Sequence, residues 1–175
     1  VEGGLLISGS VSSFTILLIV FFLFKEAGGL FNTPATEEGY VLAVNKSNDV
    51  GKLSPEKIMD IFDGNITNWK DISGMDQDIL IFRFSDLTNY YTEELGDEFQ
   101  YVPQKISELV AKEPGIIAFF PKQYLLEKGF QGKVLPEEKI TLGEFFGGTK
   151  WYPTSTPAPI FGLIPLLLGT LLVSI

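Results

Sequence analysis

Charge is segregated along this chain: 22 consecutive residues from Gly3 to Phe24 carry none, and neither do the 25 from Trp151 to Ile175. A hydrocarbon layer about 30 Å thick is crossed by roughly 20 helical residues. The first run, GGLLISGSVSSFTILLIVFFLF, is long enough to span it, and the strongly apolar part of the second, Ile160 to Ile175, is long enough to start a crossing. A secretory signal would open on basic residues and hold an apolar stretch of roughly 7 to 15 residues. This sequence opens on Val1 and Glu2 and its run is longer, so a spanning helix is expected over residues 1–28. Gly3, Gly4, Ser8, Gly9, Ser10, Ser12 and Ser13 would let a neighbouring helix approach closely. Because the second run is still apolar at Ile175, further membrane segments are expected beyond both ends.

The remaining composition removes several chemistries. With no cysteine and no histidine among 175 residues, disulfides, thiolate nucleophiles and histidine general bases are impossible. A zinc site would rest on carboxylates alone, so neither a metal nor a cofactor is expected. The 13 basic side chains are scattered singly against 22 acidic ones, for a net charge of -9, which argues against a nucleic-acid partner. No Gly-x-x-x-x-Gly-Lys-Ser/Thr phosphate loop occurs.

Residues 29–145 read as alternating strands and helices. Tyr40 to Val44 is an apolar run suited to a buried strand. Ser54, Pro55 and Glu56 give a helix start, Ile58, Ile61 and Phe62 share one face, and Gly64 is placed to end the helix. Ile79 to Phe84 is the second strand, followed by a helix through Leu95 closed by Gly96; Phe99 to Val102 is the third strand. Pro103 to Lys112 is helical, Ile116 to Phe120 a fourth strand, Gln123 to Lys128 a short helix and Lys133 to Leu135 a fifth strand. Strands separated by helices imply an α/β fold with a small, mostly parallel sheet and flanking helices. Ala27 to Gly29 and Gly143 to Pro159 read as linkers, which makes the domain an insertion between two transmembrane helices, with residues 146–175 a juxtamembrane segment and the start of the second.

Two stretches resemble known families. Glu144-Phe-Phe-Gly-Gly-Thr-Lys-Trp-Tyr-Pro-Thr-Ser-Thr-Pro, followed by Phe161-Gly-Leu-Ile-Pro-Leu-Leu-Leu-Gly-Thr-Leu, resembles the approach to the second transmembrane helix of the permease subunit of bacterial phosphate ABC transporters. Val41 to Asn45, Leu53 to Ile72 with its Ile-Phe-x-Gly-x-Ile-Thr-Asn-Trp core at Ile61 to Trp69, and Ala111 to Phe120 resemble the second lobe of the periplasmic phosphate-binding protein. The resemblance implies half of a periplasmic-binding-protein-like fold carried in an external loop of a permease, in the bacterial inner (cytoplasmic) membrane with the middle domain on the extracytoplasmic side. It implies phosphate as the transported ion, with a second permease subunit, an ATPase subunit, the periplasmic phosphate-binding protein and membrane lipid as partners. A membrane-tethered phosphate-binding or sensing module without a channel is the alternative.

In the binding-protein family an arginine at a strand end precedes a Ser-Gly-Thr turn that opens a helix and holds the anion. The resemblance makes Arg83, Ser85 and Thr88 the candidate ligand-binding residues. The segment departs from that pattern: the glycine is absent, the spacing is one residue shorter, and Asp86 places a negative charge where an anion would sit. Three readings follow: Ser85 or Asp86 caps the helix, the turn binds phosphate, or a degenerate site contacts another subunit. Trp69 is expected as a core anchor, Trp151 and Tyr152 as interfacial aromatics, and the pairs Glu93-Glu94, Asp97-Glu98 and Glu137-Glu138 as solvated surface. No catalytic constellation is left, so the chain is not expected to be an enzyme.

Overall fold

The computed structural model describes residues 36–90, 99–137 and 139–173, and before them positions 14, 18, 21, 22, 25, 28, 29 and 34. Most of the first uncharged run, its small residues, and the acidic pairs at 93–94 and 97–98 therefore lie outside the described residues, as do Gly96 and Glu138.

β1 (Tyr40–Val44) spans the residues its apolar run predicts, and its side chains from Val41 onward are buried. A strand apolar on every residue needs cover on both faces, and the two faces part by the period of two. Leu42 and Val44, with Ile117 and Phe119 of β3 (Ile116–Pro121), pack against Ile58, Ile61 and Phe62 of α1 (Pro55–Phe62) and against Trp69. Val41 and Ala43, with Ile116, Ala118 and Phe120 of β3 and Phe82 of β2 (Leu80–Arg83), pack against Val102, Ile106 and Val110 of α3 (Val102–Lys112). α2 (Phe84–Tyr90) follows β2 directly, and β4 (Lys133–Val134) closes the other edge.

The sheet order is β2-β3-β1-β4, and its directions correct the expectation of a mostly parallel sheet. Among the described residues only β2 and β3 run parallel; β1 is antiparallel to both of its neighbours. Apolar runs report burial but not strand direction. Phe99 to Val102, expected as a strand, is the turn into α3: Phe99 adopts a φ of 58°, and Phe99 and Tyr101 are exposed. With that strand removed, α3 becomes the crossover between the parallel pair β2 and β3. Of Gln123 to Lys128, expected as a short helix, only Gln123 and Tyr124 are helical, in the 3-10 turn Lys122–Tyr124, because the chain returns to extended backbone at Leu125.

α1 begins and ends where its caps predict. The Ser54 hydroxyl accepts from the Lys57 amide, Pro55 opens the helix, and Gly64 takes a φ of 77° just beyond its end. Trp69 is fully buried, and its indole N–H donates to the Gly115 carbonyl at 2.8 Å. A side chain at Gly115 would collide with the Asp78 carbonyl, so the Pro114-Gly115 break is also a point of backbone contact.

The expected linker from Gly143 to Pro159 is structured instead. α4 (Leu142–Gly147) opens on a reciprocal cap between Thr141 and Glu144, and β5 (Trp151–Tyr152) pairs with β6 (Ile160–Phe161). Gly148 and Gly162 pack backbone against backbone, each leaving no room for a Cβ on the other. The Leu163 amide donates to the Phe145 carbonyl at 2.8 Å and the Ile164 amide to Gly148 at 3.3 Å, which fixes the start of α5 (Ile164–Val173) against α4. Ala158 is buried in the α1 face of the core, and Lys150 reaches Asp60 at 3.3 Å. Among the described residues no helix is long and apolar enough to cross a membrane.

Candidate functional site

The turn from β2 into α2 holds the three candidates. Arg83 ends β2 beside Phe119 of the parallel strand β3, and the helix starts at the next residue. Without a glycine or a loop between strand and helix, the backbone N–H groups do not form a separate cradle. The Arg83 amide already has a partner: Asp86, three residues on, accepts from it at 2.8 Å. This is the backward half of a helix cap, in which a side chain of the first turn satisfies an amide left without an intrahelical acceptor.

The guanidinium of Arg83 is turned toward α1 and spends one of its donors there. Its Nη2 donates to the carbonyl of Phe62 at 3.1 Å, and its carbon lies 5.1 Å from the centroid of the Phe62 ring. Phe62 is the last residue of α1, where carbonyls lack intrahelical donors and the helix dipole is negative, so a cation there is favourable. Phe62 meets Phe119 edge-on at 6.0 Å, and Phe119 stacks on Tyr40 at 4.6 Å. Arg83 thus terminates a row of aromatic rings across the end of the sheet. Ser85 is exposed in the first turn of α2, and Thr88 lies three positions further along the same helix.

The electrostatics agree with this geometry. A second anion about 4 Å from the Asp86 carboxylate would be repelled by roughly 4 kcal/mol at an effective dielectric near 20. The structure therefore brings Arg83 and Asp86 together and turns the arginine side chain toward α1. A cavity of about 290 Å³ opens elsewhere, between the start of α1 and the exit segment. Its charged lining residues are Glu56 and Glu144, which do not suit an anion.

The roles of Phe62 and Asp86 were open to sequence reasoning only in part. Asp86 could be read as a cap from its place in the helix's first turn. Phe62 stands 21 residues upstream of its arginine, and no local pattern links the two. The Gly148–Gly162 contact was missed outright, since two glycines in a stretch read as linker carry no signal of close approach.

The sequence profile of the PBP superfamily domain matches residues 21–167, most of the chain. The chain belongs to the PBP superfamily. The match runs through the exit segment as well as the sheet, in keeping with the packing of Ala158 into the core. Two solved structures are similar to this PBP-superfamily chain. The crystal structure of an ABC-type phosphate transport receptor from Vibrio cholerae matches with a TM-score of 0.43 at 23% identity, over 62% of this chain and 50% of that one. A putative phosphate ABC transporter substrate-binding protein with bound phosphate from Clostridium perfringens matches with a TM-score of 0.40 at 22% identity, over 69% of this chain and 50% of that one. The chain thus spans about half the length of these solved proteins.

Proposed function

We propose that this PBP-superfamily chain is an external lobe of the permease of an ABC-type phosphate import system, and that it docks the soluble phosphate-binding protein instead of holding phosphate itself. The observation that carries this reading is the double occupation of the Arg83 turn. Phe62 accepts from one guanidinium nitrogen and lies under its carbon, and Asp86 takes the backbone amide and adds a negative charge. A single lobe also covers little of a ligand that needs a cleft for burial. The net charge of -9 acts against free phosphate at long range, while an acidic surface is well suited to steer a protein partner with basic patches.

The permease part of the proposal rests on the two uncharged runs and on the sequence from Glu144 to Leu171. The exposure of Leu167, Leu168, Leu171, Leu172 and Val173 around α5 favours lipid as their surroundings. In this reading a second permease subunit completes the channel, a separate ATPase subunit supplies hydrolysis, and the domain faces the extracytoplasmic side of the inner membrane. The test is interferometry of the whole chain in nanodiscs against purified phosphate-binding protein from the same cell. Saturable, salt-sensitive association that survives Arg83→Ala supports docking; no association up to high micromolar concentration removes it.

A further inference from the structure

α4 buries none of its side chains, although it carries two phenylalanines and a leucine. Leu142 and Phe146, at i and i+4, share one face and are 59% and 58% exposed; Tyr152 of the neighbouring strand is 58% exposed. The Glu144 carboxylate is tied back to the backbone and hydroxyl of Thr141, both at 2.9 Å. The position of α4 is set by the approach to α5, through the amides of Leu163 and Ile164 and through the Gly148–Gly162 contact. The exposed leucines of α5 and the apolar face of α4 are therefore joined through backbone contacts at the root of α5.

We propose that α4 is an interfacial foot: Leu142, Phe146 and Tyr152 sink into the headgroup layer of the same bilayer that receives α5. The inference rests on the membrane reading given above and adds to it a surface that lies along the lipid. Continuity names the occupant, because on that reading a surface attached at the root of the helix that enters lipid meets the interface first. Tyrosine and phenylalanine suit that layer, the former with its hydroxyl toward water. In-plane apolar faces of this kind settle about 5–10 Å into the headgroup and acyl boundary.

The chain has no cysteine, so single labels can be placed without background. Nitroxides are attached in the variants Leu142→Cys, Phe146→Cys and Tyr152→Cys of the whole chain in phosphatidylcholine nanodiscs. Glu108→Cys on α3 serves as the aqueous reference and Leu172→Cys on α5 as the deep one. Collisions with oxygen and with a water-soluble nickel complex are then measured by electron spin resonance. The expected result is oxygen-rich, nickel-poor behaviour at all three sites, at a depth between the two references. Nickel collisions equal to those of Glu108→Cys, with Leu172→Cys still in lipid, overturn the foot and leave the membrane reading intact. Shielding from both reagents means that protein covers the face, and also overturns it. If the Leu172→Cys label is aqueous, or the chain stays out of the nanodiscs, both ideas fall together.

Discussion

The sheet and the exit segment are both rich in apolar residues, yet they treat them in opposite ways. In the sheet, alternate residues of β1 are sent to α1 and to α3, and nearly all are buried. In the exit segment Ala158 and Ile160 are buried, but Leu142 and Phe146 of α4 and the leucines of α5 stay exposed. A strand or helix whose apolar residues follow the period of its element finds its cover within the chain. A helix with apolar residues on every side is covered by its own chain on one side at most. The contrast separates the part of the molecule that covers its own apolar residues from a helix that leaves most of them exposed.

The largest effect is expected in the first part. Trp69→Ala should lower unfolding free energy by about 3–5 kcal/mol, since it empties a fully buried site and leaves the Gly115 carbonyl without its donor. Chemical denaturation measures it; a loss below about 1 kcal/mol would show that the core is not centred there. Gly162→Ala should have a smaller and local effect of about 1–3 kcal/mol, because its methyl meets the Gly148 backbone. Hydrogen exchange should quicken at the amides of Leu163 and Ile164 and not at those of β1. Uniform acceleration would mean that the two regions are one cooperative unit.

Arg83→Ala should destabilise by about 1–2 kcal/mol, because a charge-assisted hydrogen bond and a ring contact are lost and solvent at the exposed arginine weakens both. A thermal melt without change would detach the arginine from α1. The smallest effect belongs to the ion pair that pins the exit segment to α1. Lys150 and Asp60 keep 43% and 29% of their side-chain surface, and a double-mutant cycle with alanine should give a coupling of about 0.2–1 kcal/mol that fades in high salt.

Local signals were legible where one element decides its own limits. Tyr40 to Val44, and the helix between Ser54 and Gly64, follow from an apolar run and a pair of caps. Sheet direction was not, because Ile79 to Phe84 looks the same whether its neighbour runs up or down. Phe99 to Val102 looked like a strand by content, while its backbone is turned by the left-handed conformation of Phe99. At the candidate site, the position of Arg83 at a strand end was readable, and so was Asp86 as an intruding charge. The destination of the guanidinium depended on Phe62 in another helix, a contact only the folded chain creates.

The occupied turn is most directly tested by isothermal titration calorimetry of the whole chain, in detergent, with inorganic phosphate. With Phe62 and Asp86 holding Arg83, no saturable heat is expected up to millimolar phosphate. Micromolar binding that disappears in Arg83→Ala would contradict it and restore the turn as a phosphate site.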